Sequence, residues 1–262
     1  MIAIIVSVRT RNLKWVAINF ARRRGWEIRR FDPFSSLGAY LRYIVFPYLG
    51  VNCVLDVGAH VGEFAMDLRN SGYEGQIISF EPTSSSFGIL HDRAAADAKW
   101  SVYNVALGQS EGSATINVMR DTHMSSLRSP LRTGLDEFEN NGNTVDHVET
   151  VEVRRLDGLF SEVTAGIDNP RVFLKMDTQG WDLEVFEGAG ASLEFVVGLQ
   201  SELSISALYE GMPDFRSALS AYEGRGFHVS SMFPVARDGR LRLIEFDCIM
   251  VRSAPDRPSP QA

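Results

Sequence analysis

Apolar residues recur along this chain in short runs that end, one after another, on a polar or charged residue. Such runs, bounded by turn residues, read as strands buried on both faces. Residues 53–55 run into Asp56, residues 76–80 into Glu81-Pro82, and residues 172–176 into Asp177. Residues 100–105 close around Asn104, and residues 195–200 lead towards Glu202. Helical periods lie between them. Residues 63–71 put Phe64, Ala65 and Leu68 on one side, with Gly72 as stop. Residues 87–98, 158–163 (with Asp157 as the expected cap) and 181–187 follow the same logic. A strand opening at residues 226–229 and another over 241–251, joined through the Arg237-Asp238-Gly239-Arg240 turn, are expected to be antiparallel. In the middle, Glu111-Gly112 reads as a hairpin turn into a strand over 114–118, and residues 148–153 alternate as another strand. The fold class is therefore α/β: a doubly wound, mostly parallel sheet with helices on both faces.

Residues 51–252 carry this alternation as one domain. Residues 1–50 are expected to form a helical extension, from a helix over 12–24 and an aromatic-rich helix over 34–49. Residues 253–262, rich in proline, read as a disordered tail. Residues 120–147 are polar and weakly periodic; a segment of that length reads as a lid, an acceptor-binding loop or disorder. Charge adds a contrast. The net charge of −7 argues against nucleic-acid binding. Yet residues 1–30 hold Arg9, Arg11, Lys14, Arg22, Arg23, Arg24, Arg29 and Arg30 against Glu27 alone. That end is either a solvated face or a peripheral contact with an anionic membrane. No apolar run reaches the ~20 residues of a membrane span. Cys53 and Cys248 sit in apolar runs and read as buried thiols, which fits a cytoplasmic protein.

The strand ends carry the candidate chemistry. Asp56, Gly58, Ala59, His60 and Gly62 form a tight strand-to-helix turn, where a ligand sits over the carboxyl edge of a sheet. In a G-x-G-x-x-G frame the first position would be Asp56 and the last Val61, so the dinucleotide fingerprint is absent. An acid there suits a cationic ligand and repels a pyrophosphate. S-adenosylmethionine has a sulfonium, an ammonium and no phosphate. Glu81, beside Pro82 and nineteen positions after Gly62, is placed to accept both ribose hydroxyls. Asn104 and the backbone near Ala106 are placed to read an adenine edge. Asp177 is the first candidate for a base or acceptor-orienting group, with Glu202 and His60 as further candidates. Asp177 and Glu202 are also a possible oxygen pair for a divalent cation, though no metal ligand set is assigned. His91, His123, His147 and His228 are scattered, and no pair has ligand spacing.

The motif Asp56-Val57-Gly58-Ala59-His60-Val61-Gly62 resembles motif I of class I methyltransferases. Together with Phe80-Glu81-Pro82, Asn104-Val105-Ala106-Leu107-Gly108 and Lys175-Met176-Asp177-Thr178-Gln179-Gly180-Trp181-Asp182, it resembles the FkbM family of S-adenosylmethionine-dependent methyltransferases over residues 53–252. The chain departs from the family pattern at His60, often Asn, at Gln179, often Glu, and near Trp181, often His or Tyr. The resemblance implies a seven-stranded sheet with one antiparallel strand and methyl transfer, usually to oxygen on sugars, glycolipids or secondary metabolites. Two other functions compete: an NAD-dependent oxidoreductase on a similar sheet, and a non-catalytic cofactor-binding scaffold. Trp181, Tyr209 and Phe233 fit either stacking on a sugar or core packing.

Overall fold

The computed structural model describes residues 15, 16, 19, 20, 23, 24, 32–131 and 144–252. The chain divides after Ser35 into two units. In the first, residues 15, 16, 19, 20 and 23 are helical, with Trp15 and Phe20 exposed. The rest of the helix expected over 12–24, the basic cluster at 29–30 and the tail 253–262 lie outside the described residues.

The second unit is the α/β domain. Its strands are β1 (Cys53–Val57), β2 (Gln76–Phe80), β3 (Trp100–Tyr103), β4 (Ala106–Leu107), β5 (Gly112–Met119), β6 (Val145–Arg154), β7 (Val172–Met176), β8 (Val196–Ser204), β9 (Phe227–Arg237) and β10 (Leu243–Arg252). Its helices are α1 (residues 37–49, with a π turn at Leu41–Val45), α2 (Glu63–Asn70), α3 (Ser84–Ala94), α4 (Leu156–Val163), α5 (Asp182–Gly188) and α6 (Phe215–Glu223). Seven strands form the main sheet in the order β3-β2-β1-β7-β8-β10-β9. The first five are parallel, and β10 runs antiparallel to both β8 and β9. Both faces are covered. Cys53, Leu55 and Val57 pack with α4, α5 and α6 through Phe160, Phe186 and Tyr222. Val54 points to the other face and packs with α1, α2 and α3 through Phe46, Leu68 and Leu90. All residues of β1 and β7 are buried, and apart from Asp56 and Lys175 all are apolar. No helix among the described residues is long and apolar enough to cross a membrane.

The middle of the chain differs from expectation. Glu111-Gly112 makes no hairpin: β5 pairs antiparallel with β6 across the 120–144 segment, and β4 pairs parallel with β6. The result is a separate three-stranded sheet, β4-β6-β5. Asp157 does not cap α4. It lies in the first turn and accepts from Arg155 Nε at 3.0 Å, because a guanidinium is the stronger partner for a carboxylate. Helix α6, capped by Asp214 accepting from Arg216 N, was not expected from the sequence.

One close approach fixes the relation of β1 to β7. Gly58 has φ +72°, and a Cβ there would lie 2.0 Å from the Asp177 carbonyl oxygen. Gly58→Ala is therefore expected to destabilise the domain by at least about 2 kcal/mol, through both strain and overlap. Urea unfolding of that variant at the parent's midpoint would show that the two turns part freely.

Candidate active site

Strand register builds the base of the site. Asp56 pairs with Ser79 on β2 and with Lys175 on β7, so three polar side chains stand in a row on one face. Lys175 Nζ lies 3.0 Å from Asp56 Oδ1 and 3.5 Å from Asp177 Oδ2, and donates to Gly58 O at 3.1 Å. Ser79 Oγ donates to Asp56 Oδ2 at 3.2 Å. Burial works against the Lys175 ammonium, but Asp56 and Asp177 outweigh it and hold its pKa above the ordinary value. Asp56 has no exposed surface and lies beneath the cavity, not on its wall. This corrects its expected role as a ligand for a cation: a fully buried carboxylate needs a cationic partner, and the register already supplies Lys175.

Above this row the strand-end turns enclose a cavity lined by Gly58, His60, Glu81, Pro82, Ala106 and Asp177, with Val105, Leu107 and Ile116 as apolar wall. Glu81 is buried. Its Oε2 accepts from His60 N at 2.9 Å, and its Oε1 accepts from Thr83 N at 2.8 Å and from the Thr83 hydroxyl. A carboxylate oxygen accepts about two hydrogen bonds, so Oε2 keeps a free lone pair. Burial raises the Glu81 pKa. Three predicted residues stand behind the wall. Asn104 donates to the carbonyls of Glu81 (2.9 Å) and Pro82 (3.1 Å), so its amide holds the turn that carries Glu81. Ala59 N donates to Phe80 O at 3.1 Å, joining the β1 and β2 turns. Gly62, at φ +89°, precedes α2 beneath Trp100 and Leu90.

The turn after β7 carries the second acid. Asp177 keeps 38% of its side chain exposed. Gln179, at φ +52°, donates through Nε2 to Asp177 Oδ1 (3.2 Å) and Glu202 Oε2 (2.8 Å). An amide donor thus bridges the two carboxylates that the sequence offered as a cation pair. Glu202 does not line the cavity. It faces Asp247 across the β8–β10 ladder, where Ser204 faces Glu245. Burial first, then the neighbouring acids, raise Glu202 well above the carboxylate range, Glu245 to about 7 and Asp247 to about 6. Glu202 therefore favours its protonated form and is a poor base, which departs from its expected catalytic role. Tyr209 is buried, with its hydroxyl 2.9 Å from both Gln179 Oε1 and Met124 O. Phe233 packs on Tyr40 at a centroid distance of 5.7 Å. Neither lines the cavity.

A strap, residues 120–131, closes one side of the cavity. Thr122, His123, Ser125, Ser126 and Leu127 line it. His60, at φ +49°, reaches Thr122 Oγ1 through Nε2 at 2.7 Å, and its ring lies 3.9 Å from that of His123. Ser126 Oγ donates to Gln179 O at 2.7 Å, and Arg128 donates to Gly180 O at 2.8 Å while lying over Trp181. Sequence spacing gave no sign of the His60–His123 contact, because only the fold brings these distant positions together.

The FkbM methyltransferase domain matches residues 56–229, more than half of the chain. The chain belongs to this family. An FkbM chain uses S-adenosylmethionine to transfer a methyl group, which sets the oxidoreductase alternative aside. No curated protein matches the sequence. Solved structures are similar to the chain at low identity. Aeropyrum pernix fibrillarin, in complex with natively bound S-adenosyl-L-methionine, is 9% identical, over 76% of this chain and 66% of its own, with a TM-score of 0.42. Precorrin-6y C5,15-methyltransferase of Geobacter metallireducens is 13% identical, over 82% and 88%, with a TM-score of 0.40. The cavity suits the FkbM cofactor: it offers a buried carboxylate with a spare acceptor, an apolar wall and a turn without Cβ.

The raised acids behind this site make a pH prediction. Below its folded pKa each binds a proton in the folded chain that the unfolded chain gives up more readily. The stabilisation is complete below the unfolded carboxylate pKa and is lost as pH rises through about 6 to 7. Glu245→Gln keeps an acceptor for Ser204 and is expected to reduce that loss by roughly 2 kcal/mol. Urea melts at about pH 5 and pH 8 read the difference; an identical loss in parent and variant would clear Glu245 of any part in it.

Proposed function

We propose that this FkbM methyltransferase methylates a hydroxyl oxygen on a small-molecule acceptor, a sugar, glycolipid or secondary metabolite, in the cytoplasm. The observation that carries the reading is the pairing of Glu81 and Asp177 on one cavity. One acid is buried with a spare acceptor; the other is open to a second substrate. When bound, S-adenosylmethionine supplies a methyl group activated by its sulfonium. Glu81 accepts a ribose hydroxyl at Oε2 and sets the depth of the nucleoside, with Val105 and Ile116 as its apolar wall. Asp177 would orient the acceptor hydroxyl and hold the proton it gives up, while the bound cofactor would supply the methyl group and keep the thioether left behind. Lys175 Nζ lies 3.5 Å from Asp177 Oδ2, and Gln179 donates to its Oδ1 and fixes its direction. The family pattern has Glu at position 179. Here the neutral amide bridges Asp177 and Glu202, and leaves Asp177 as the exposed acid of the pair. His60 is the weaker base candidate: burial and His123 lower its pKa, and Thr122 occupies its Nε2. Both cysteines are buried and unpaired, in keeping with a reducing compartment.

Two variants test the assignment. Asp177→Asn is expected to cut turnover roughly 100-fold or more while cofactor affinity changes little. Glu81→Ala is expected to weaken S-adenosylmethionine binding by about 1.5–3 kcal/mol, through loss of charged hydrogen bonds. A panel of hydroxylated sugars, glycolipids and polyketide alcohols, scored by mass for one added methyl, identifies the acceptor class. Full turnover in Asp177→Asn would remove that residue from proton transfer. Unchanged calorimetric affinity in a folded Glu81→Ala would refute the ribose contact. Cofactor binding with no product across the panel would favour the scaffold reading.

A further inference from the structure

His60, Glu63 and His123 meet at the edge of the cofactor cavity with one potential ligand atom each, all within 4.8 Å of one another. We infer that these three residues form a site for a divalent transition metal of the zinc class, which ties the strap to the glycine turn.

Three observations carry it. First, His60 Nδ1 is buried and reaches no hydrogen-bond partner. A ring nitrogen left bare in the interior is costly unless something coordinates it. Second, the other ring nitrogen is already fixed on Thr122 Oγ1 at 2.7 Å. A metal-bound imidazole normally has its second nitrogen held in this way, which sets the ring's direction and leaves the first as a lone pair. Third, Glu63 Oε2 lies 3.5 Å from His60 Nδ1. That is long for a hydrogen bond, but two ligands on one tetrahedral zinc stand about 3.3–3.4 Å apart when each bond is near 2.0–2.1 Å. Glu63 and His123 are exposed, so small side-chain rotations complete the set.

The donor set narrows the metal. Two imidazoles and one carboxylate suit zinc, cobalt or nickel; magnesium and calcium prefer all-oxygen sites. Three protein ligands leave a fourth position for water. His60 belongs to the turn after β1 and His123 to the strap, so one ion would staple together two segments otherwise joined here by the Thr122 contact. The site is separate from the Asp177–Glu202 pair and does not depend on the acceptor.

The test is calorimetric titration of the full chain with Zn2+, together with Co2+ as a spectroscopic probe. The expected result is one ion per chain and a visible d–d band of a four-coordinate cobalt site, abolished by Zn2+. His123→Ala and Glu63→Gln should each weaken Zn2+ binding, His123→Ala by roughly 100-fold or more. Both positions are exposed, and circular dichroism confirms folding. His147→Ala is the control, since His147 stands among Asp146 and Glu149 elsewhere on the surface; it should leave binding unchanged. No binding tighter than millimolar in the parent chain would overturn the site. So would parent-like affinity in both folded His123→Ala and Glu63→Gln, or binding lost with His147→Ala and kept in the other two.

Discussion

The ion pair between Asp56 and Lys175 is the constraint on which the rest of the structure hangs. Both groups are buried, and each faces the other across the β1–β7 register. A buried pair of this kind adds little net stability, because desolvation offsets most of the attraction. Losing one partner is another matter: a charge left alone in the interior costs on the order of 3–5 kcal/mol. The pair therefore sets geometry more than it adds strength. Lys175 spends its remaining reach on the Gly58 carbonyl and on Asp177. One ammonium thus positions two turns at the cavity, the one after β1 and the one that carries Asp177.

The same face of the sheet explains why its acids differ in behaviour. Ser79, Asp56, Lys175 and Gln200 lie in register across four strands, and Asp247 accepts from Gln200 at the far end. Lys175 stands near the Asp56 end. Farther from it, Glu202, Glu245 and Asp247 crowd together in low dielectric, and burial and mutual repulsion make them hold their protons more tightly. Asp177 combines nearness to Lys175 with an opening to the cavity.

How much could be read beforehand tracks burial. Strands β1, β2 and β7 were legible almost to the residue, because burial on both faces leaves short apolar runs interrupted inside only by Asp56, Ser79 and Lys175. Strand β8 runs on to Ser204, past the point where Glu202 seemed to end it; tertiary partners make that acid tolerable inside the sheet. Helix α6 was overlooked, since its core face rests on Ala218 and Tyr222 among serines, a weak periodic signal. The small sheet was misjudged for another reason: β5 and β6 pair across a long segment, and no local turn announces it. In the site, Gly58, His60, Glu81, Pro82, Ala106 and Asp177 follow from strand ends alone. The orientation of Asp56 did not, because it depends on which residue stands opposite in the neighbouring strand.

The two halves of the cavity wall have separate origins in the chain. The floor and the Glu81 side come from the parallel strands, whose register the buried ion pair locks. Ile116 comes from the separate three-stranded sheet, and the strap that follows it bridges back to Asn117 and out to Tyr209. One side of the chamber is thus built from strands that share no pairing with those that carry Glu81 and Asp177.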